Sequence, residues 1–310
     1  MGPFSKYRVA VIGDAMLDQY IYGDVDRISP EAPIPILNKT KSIAKPGGAA
    51  NVAVNLSSLG AQTILISVIG EDVAGSELGN LLEQAEIEFI PLKVKNRPTT
   101  KKTRIVSRGQ QIIRIDEEVK DDISTAEESE VLKKITKCIS AKKIDALILQ
   151  DYNKGMLTPV LVKQILALCK IQNILTVVDP KFEALSAYAG CSVFKPNLLE
   201  LETAVGRKVQ ANEEDLENAV QVLKTIVDFE KCYVTLGKYG IYNHQLKQIF
   251  EVVPNDVVDV TGAGDSVLSV LTLSSIKGDS EAEITQKMNE AGQIACMHEG
   301  SYCLKISDFS

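Results

Sequence analysis

The chain has 310 residues, of which 45% are hydrophobic and 24% are charged, and that length fits one large α/β domain. Lys and Arg number 34 against 41 Asp and Glu, so the formal net charge is −7, which argues against nucleic acid as a partner. No apolar run reaches the roughly 20 residues of a membrane-spanning helix, and the N-terminus lacks a signal-peptide pattern. We therefore expect a cytoplasmic protein with no membrane partner.

The predicted elements of the first part of the chain alternate between strands and helices. Strands are predicted over residues 7–12 and 63–69, and helices over 51–59 and 74–85. Residues 21–40 carry three prolines among short apolar pairs, a pattern that favours edge strands or a flap over a helix. Residues 99–116 predict two strands that meet at Arg108-Gly109.

From residue 124 onward the alternation is regular. The predicted helices and strands are, in order, helix 124–140, strand 144–150, helix 158–171, strand 174–179, helices near 198–204 and over 213–227, and strand 232–237. Continuous apolar strands between amphipathic helices predict βαβ units and a mostly parallel sheet with helices on both faces. Ligands of such sheets lie beyond the carboxyl ends of the strands. Polar residues or Gly stand at those ends at Asp14, Asp151, Asp179, Asn197 and Gly237.

The six cysteines include no CxxC pair and are accompanied by only two histidines. This composition argues against a zinc site and against a disulfide framework. We expect most of these thiols to be buried as small hydrophobic side chains.

The segment 259–265, DVTGAGD, precedes a predicted helix that runs to Gly278. Gly262 and Gly264 allow a sharp turn, and the helix directs its N-terminal N–H groups and its dipole at the same point, which builds an anion hole. Asp265 falls in the first turn, where a carboxylate can accept a proton from an attacking hydroxyl. The alternative is that Asp265 only caps the helix. A Rossmann loop fits poorly so late in the chain, and no P-loop motif is present.

Two glycine motifs together point to a family. DVTGAGDS at 259–266 resembles the second signature of ribokinase-like sugar kinases, and Pro46-Gly47-Gly48-Ala49-Ala50-Asn51 resembles the first. The resemblance covers nearly the whole chain and is closest to the branch of D-glycero-β-D-manno-heptose-7-phosphate kinases. The segments similar to that branch are GDAMLD (13–18), RISPEAP (27–33), SRGQQ (107–111), DYNKG (151–155) and DPK (179–181).

The resemblance implies a ribokinase-like three-layer α/β/α fold with a mostly parallel central sheet and a small β-strand lid. Residues 1–310 would form a single kinase domain, with lid segments at about 20–40 and 99–116. The resemblance also implies that Asp265 is the catalytic base and that Gly262, Ala263 and Gly264 line the anion hole. ATP and Mg²⁺ would be required, and the lid would join two copies as a homodimer.

The resemblance implies further site residues on both sides of the cleft. The sugar-binding residues would be Asp14, Asp18, Gly47, Gly48, Asn51 and Asp151. The nucleotide-binding residues would be Asn197, Glu200, Thr235, Gly237, Gly240 and Asn289, with Asn197 and Glu200 ordering Mg²⁺ through water. The residues alone leave plainer alternatives: Asn197 and Glu200 as a helix cap, Gly47-Gly48 as a tight helix entry, and Asp14 as a turn residue. Whether a monovalent cation is also required stays open, because His298-Glu299-Gly300-Ser301 departs from the branch pattern.

A phosphorylated sugar needs positive charge near the site. Lys102, Arg104 and Arg108 have the same parity on a predicted strand and could face one side. Lys154 and Lys181 each follow the carboxyl end of a predicted strand. For each of these five residues a solvated surface charge is the alternative, but together they favour a sugar phosphate over a neutral sugar.

The sequence therefore predicts an ATP-dependent kinase that phosphorylates the anomeric hydroxyl of D-glycero-D-manno-heptose 7-phosphate to the 1,7-bisphosphate. A separate nucleotidyltransferase is expected to use that product in ADP-heptose synthesis. One alternative is the same fold acting on fructose 1-phosphate, ribose or a nucleoside. Another is a non-catalytic sugar or nucleotide sensor, and a dinucleotide-dependent dehydrogenase is a third possibility.

Overall fold

The computed structural model describes residues 4–141, 143–181, 183–253 and 256–309. Its strands, in chain order, are β1 (Arg8–Gly13), β2 (Ala15–Ile28), β3 (Pro35–Gly48), β4 (Gln62–Gly70), β5 (Glu88–Val94), β6 (Lys101–Ser107), β7 (Gln110–Glu117), β8 (Ala146–Gln150), β9 (Leu175–Asp179), β10 (Cys191–Phe194), β11 (Phe229–Thr235), β12 (Ile241–Asn243) and β13 (Gln248–Phe250). Its α-helices are α1 (Ala49–Ser58), α2 (Val73–Gln84), α3 (Thr125–Ala141), α4 (Pro159–Ile171), α5 (Leu198–Val205), α6 (Glu213–Ile226), α7 (Ala263–Lys277) and α8 (Glu281–Cys296).

The large sheet has nine strands in the order β13-β12-β11-β10-β9-β8-β1-β4-β5. The pairs from β11 to β5 are parallel, and β12 runs antiparallel to both β11 and β13. The predicted mostly parallel sheet is thus confirmed. Because parallel strands end at one edge, Asp14, Asp151 and Asp179 lie together there, each at the end of a neighbouring strand.

Helices cover both faces of the large sheet, which gives three layers. On one face α1, α2, α7 and α8 pack against a cluster of buried side chains that includes Val11 and Ile148. On the other face α3 to α6 pack against a second cluster that includes Ile12 and Leu149. Adjacent strand residues thus enter opposite cores, as the two-residue period of a strand requires. Burial on both faces explains why these strands are apolar without alternation.

A second sheet stands at the carboxyl edge of the first. Its four strands lie in the order β3-β2-β6-β7, with β2 and β6 parallel and the other pairs antiparallel. This lid sheet occupies residues 15–48 and 101–117, so its first part is wider than the predicted 20–40. Asp14 links β1 to β2, and Gly48 links β3 to α1, so the base of the lid meets the edge where the sheet strands end.

The structure adds strands that the sequence analysis did not predict, namely β5, β10, β12 and β13. Of the six cysteines, Cys138, Cys169, Cys191 and Cys232 are buried and the other two are half-buried. Burial raises the pKa of Cys169 and Cys191 to about 12, so both stay protonated. In the ranges that the structure describes, no helix has both the length and the apolar character of a membrane span.

Candidate active site

The glycine-rich turn lies at the start of α7. Gly262 is the N-cap in the left-handed conformation (φ 79°), and a Cβ added there would lie 2.8 Å from Nδ2 of Asn51. Glycine is therefore required at this position, both because its φ is positive and because a side chain would clash with Asn51. The Ala263 N–H donates to the Val260 carbonyl at 3.3 Å, so one amide of the predicted anion hole is engaged. The first-turn N–H groups and the helix dipole still favour an anion at this point.

Asp265 lies in the first turn of α7 and is buried. Its Oδ2 accepts a hydrogen bond from Asn51 Nδ2 at 2.8 Å, and its Oδ1 accepts one from the Tyr152 hydroxyl at 2.8 Å. Burial raises the pKa of Asp265 to about 7, although both hydrogen bonds lower it, and the charge of Asp179 adds to the rise. A carboxylate with that pKa can accept a proton near neutral pH.

The first glycine pair ends β3 directly before α1. A Cβ on Gly47 would lie 2.2 Å from Oδ2 of Asp18, and Gly48 has a φ of 57° with the Asp14 carbonyl oxygen 2.5 Å from its Cβ position. These glycines let β2 and β3 approach closely and turn the chain directly into α1. Asn51, in the first turn of α1, thereby reaches Asp265.

Two predicted sugar-binding carboxylates organise the loop after β8. Asp14 accepts backbone N–H groups from Tyr152 at 2.9 Å, Lys154 at 3.1 Å and Met156 at 3.4 Å. Asp151 accepts the Asn153 N–H at 2.7 Å and the Tyr188 hydroxyl at 2.7 Å. Burial, together with the charge of Asp151, raises the pKa of Asp14 to about 6. A sugar would have to share these carboxylates with the loop.

The predicted basic residues do not form one cluster. Arg104 pairs with Asp18 at 2.5 Å at the base of the lid, and Lys154 pairs with Glu118 at 2.8 Å. Arg108 lies in the turn between β6 and β7, is largely exposed, and pairs with Asp26 near the far end of β2. The expectation that Arg104 and Arg108 share a face is therefore not met.

Lys102 and Lys181 also have carboxylate partners. Lys102 contacts Asp116 and Glu118, both at 3.2 Å, beside Lys154. Lys181 contacts Glu200 at 3.0 Å on the side of the site predicted for the nucleotide. The structure thus brings Lys102 and Lys154 to one acidic group and Lys181 to another.

A cavity of about 820 Å³ opens in front of α7. That volume lies within the range of small-molecule and cofactor sites. It brings together the turn 262–265 and the residues predicted for the nucleotide, which are Asn197, Glu200, Thr235, Gly237, Gly240 and Asn289. Asn289 also donates its side-chain amide to the Phe250 carbonyl at 2.6 Å, which fixes β13 over α8.

Asn197 and Glu200 form a capping box at the start of α5. The Glu200 N–H donates to Asn197 Oδ1 at 2.8 Å, and the Asn197 N–H donates to Glu200 Oε2 at 2.8 Å. The plainer interpretation of this pair, helix capping, is thus present in the structure. Glu200 is nevertheless buried at the cavity wall, where burial and the charge of Asp179 raise its pKa and Lys181 lowers it.

Sequence reasoning missed three side chains of this site. Lys195 is only 2% exposed, and its Nζ lies 3.1 Å from Oδ1 of Asp179; in the described ranges no other Lys or Arg is buried to this degree. Gln150 Nε2 lies 3.2 Å from Asp179 and 3.5 Å from Asp265, and Tyr152 contacts Asp265 directly. Lys195 follows an apolar run and directly precedes Pro196 and Asn197, which is the one signal that could have found it.

Comparisons with known proteins identify the family and the fold of the chain. The profile of the family described as "pfkB family carbohydrate kinase" matches residues 6–306. A protein named "Bifunctional protein HldE" from Helicobacter acinonychis (strain Sheeba) is 36% identical over 306 residues, which cover 98% of this chain and 65% of that protein. The protein of the same name from a Nitratiruptor species is 38% identical over 291 residues, covering 93% of this chain and 61% of that protein. The chain thus spans less than two thirds of the length of these relatives.

Solved structures share the fold at lower identity. Phosphofructokinase-2 from Escherichia coli, in complex with substrates and products, superposes with a TM-score of 0.80 at 22% identity over 97% of this chain and 96% of its own. Ribokinase from Arabidopsis thaliana, complexed with ribose and ATP, superposes with a TM-score of 0.70 at 18% identity over 99% and 96% of the two chains. The ribokinase-like fold expected from the sequence is confirmed.

Proposed function

The chain belongs to the pfkB family of carbohydrate kinases, and we propose that it transfers the γ-phosphoryl group of ATP to the anomeric hydroxyl of D-glycero-D-manno-heptose 7-phosphate. The observation that carries this proposal is the position of Asp265, a buried carboxylate with a raised pKa at the N-terminus of α7. It lies between the lid base and the large cavity, where an acceptor hydroxyl and a phosphoryl donor can meet.

In the proposed reaction, Asp265 accepts the proton of the anomeric hydroxyl while that oxygen attacks the γ-phosphorus and ADP leaves. Asn51 holds Oδ2 of the carboxylate in place for this transfer. The turn 262–264 and the N-terminal dipole of α7 stabilise the negative charge on the phosphoryl oxygens. Lys195 adds a buried positive charge to the same cavity. Closure of the lid excludes water from the reacting groups.

Mg²⁺ fits the donor set of the cavity. Glu200 offers a carboxylate and Asn197 an amide oxygen, both of them hard oxygen ligands. Their oxygens already take part in the capping box, so contact through water is the arrangement that the site accommodates. When bound, Mg²⁺ would neutralise charge on the phosphate oxygens.

The choice of a sugar phosphate rests on charge at the lid base and on the motifs. Arg104 and Lys154 lie at the sugar side, although each is paired with a carboxylate. Arg108 is not part of this group, and Lys181 lies on the nucleotide side. The heptose stereochemistry rests on the resemblance of segments such as DYNKG at 151–155. Another sugar phosphate of similar size is the main alternative.

We also propose that two copies associate through the lid. Strand β7 is a sheet edge and carries Ile112, Ile113 and Ile115 with exposures of 44%, 52% and 46%. An exposed apolar edge strand of this kind favours pairing with another chain. Analytical ultracentrifugation should find a dimer, and Ile113→Lys should shift it toward the monomer.

We further propose that a separate nucleotidyltransferase acts on the phosphorylated product.

The test of the proposed function is coupled ADP release with Mg-ATP and a panel of acceptors. The panel contains D-glycero-D-manno-heptose 7-phosphate, fructose 1-phosphate, fructose 6-phosphate, ribose and adenosine. We expect rapid turnover with the heptose phosphate alone. Turnover with another member of the panel would support the kinase activity and identify a different substrate. No ADP release with any acceptor, together with measurable ATP binding, would favour a non-catalytic sugar or nucleotide sensor.

A further inference from the structure

Tyr152 is held at both its backbone and its side chain. Its N–H donates to Asp14 Oδ2 at 2.9 Å, and its hydroxyl lies 2.8 Å from Asp265 Oδ1. The Lys181 ammonium lies 5.5 Å from the centre of its ring. The loop after β8 thus carries a phenol into the cavity wall and directs its hydroxyl at the candidate base.

The Tyr152 hydroxyl is the donor toward the ionised Asp265 carboxylate. Burial raises its pKa well above the ordinary value, and the negative charge of Asp265 adds to the rise. The phenol therefore keeps its proton over the whole working pH range. A hydrogen bond from a neutral donor to a carboxylate stabilises the charged form.

The other groups that face Asp265 come from several elements. They are Asn51 from α1, Gln150 from β8, Asp179 from β9 and Lys195 after β10. Asp179 opposes ionisation of Asp265, whereas Asn51 and Lys195 favour it. Tyr152 is itself faced by Asp18 and Asp179, as well as by Lys181.

We propose that Tyr152 is a positioning residue, which fixes the Asp265 carboxylate by donating its hydroxyl to Oδ1 while Asn51 donates to Oδ2. This inference rests on the proposed function of Asp265 as the base. A carboxylate has about four lone-pair positions, so these two strong hydrogen bonds leave room for the acceptor hydroxyl. With both oxygens fixed, the carboxylate plane cannot rotate away from the substrate, and the base meets the hydroxyl already oriented.

The matched variants are Tyr152→Phe and Tyr242→Phe. Each removes one phenol hydroxyl from a carboxylate, since Tyr242 donates to Glu217 Oε2 at 2.7 Å away from the cavity. Titration of the Asp265 carboxyl is followed by ¹³C NMR of protein labelled at aspartate, with the signal identified by its loss in Asp265→Asn. We expect Tyr152→Phe to raise the midpoint by about one pH unit, which corresponds to one hydrogen bond to a charged group. Tyr242→Phe should leave it unchanged.

Turnover of the heptose phosphate gives the second readout. In Tyr152→Phe it should fall about fivefold at pH 7, because a midpoint raised by about one unit leaves only about a tenth of the base ionised, and it should recover at pH 9, where the base is again ionised. An unchanged midpoint, or a raised midpoint with wild-type turnover at pH 7, would overturn the role of Tyr152. Asp265→Asn separates the two proposals, because wild-type turnover in that variant removes the base itself. If the wild-type protein is inactive toward the heptose phosphate, the proposed substrate is wrong. The NMR titration would still show whether Tyr152 stabilises the ionised Asp265 carboxylate.

Discussion

Nδ2 of Asn51 lies 2.8 Å from Oδ2 of Asp265, although the two residues are 214 positions apart in the chain. Asn51 belongs to the first glycine motif, between lid and sheet, and Asp265 belongs to the second, at the start of α7. The contact therefore joins the side of the site predicted for the sugar to the side predicted for the phosphates. It also orients the carboxylate that we propose as the base.

Replacing Asn51 by Asp would place a second carboxylate next to Asp265. Two carboxyl groups at that distance cannot both ionise readily, so the higher of the two apparent pKa values of the pair should rise. We expect Asn51→Asp to reduce turnover at pH 7 at least about tenfold and to move the acid limb of the pH profile upward by more than about one unit. The control is Asn212→Asp, because Asn212 caps α6 at the surface and Asp caps equally well. Equal acid limbs in Asn51→Asp and the wild type would contradict the coupling.

The pH profile of the wild-type protein should follow the ionisation of Asp265. Burial raises the pKa of this carboxyl to about 7, so the group is protonated, and inactive as a base, at lower pH. We expect kcat/KM to fall about tenfold for each pH unit below that value, because this ratio reports the free enzyme. A rate that stays constant down to pH 5 would show that the base has an ordinary aspartate pKa.

Gly262→Ala should abolish turnover because it distorts the turn at the start of α7. The alanine would be strained at a φ of 79°, and its Cβ would meet Nδ2 of Asn51 at 2.8 Å. Gly190→Ala is the matched control, since Gly190 has a φ of 89° and open space around its Cβ position. Both variants should lose about 1–2 kcal/mol of stability from backbone strain, measured by urea unfolding, but only Gly262→Ala should lose activity. Activity in Gly262→Ala at the level of Gly190→Ala would argue against the turn as part of the site.

Glu200→Gln separates helix capping from a role in Mg²⁺ binding. The chain offers a second capping box at Ser280 and Glu283, remote from the cavity, so Glu283→Gln is its control. Both changes weaken the same type of cap, and Glu200→Gln should lower the melting temperature further because it also removes the ion pair with Lys181. Only Glu200→Gln should raise the Mg²⁺ concentration needed for half-maximal ADP formation. A similar Mg²⁺ dependence in both variants would show that Glu200 caps α5 and has no role in Mg²⁺ binding.

Much of the fold could be predicted from the sequence because its signals are local and repeated. The apolar strands of the parallel sheet and the helices between them appear as distinct periods, and β8 and α4 lie within two residues of their predicted bounds. Strands β12 and β13 have only three residues each, too few to show a period, and β5 contains Pro91.

The site was predictable where glycine geometry determines the residue type, as at Gly262. It was not predictable where a side chain depends on the path of a loop or on strand register. Tyr152 reaches Asp265 only because Asp14 fixes the loop that carries it. Arg108 departs from the parity of Arg104 because the pairing of β6 with β7 shifts after Ile105 and Arg108 enters the turn.

The most direct test of the central claim compares ADP formation by the wild type and by Asp265→Asn with Mg-ATP and D-glycero-D-manno-heptose 7-phosphate. Loss of a general base should reduce turnover by about 10²–10⁴-fold. ATP binding, measured separately by calorimetry, should stay close to that of the wild type, because the cavity wall is otherwise intact. Turnover at the wild-type rate in Asp265→Asn would contradict the account.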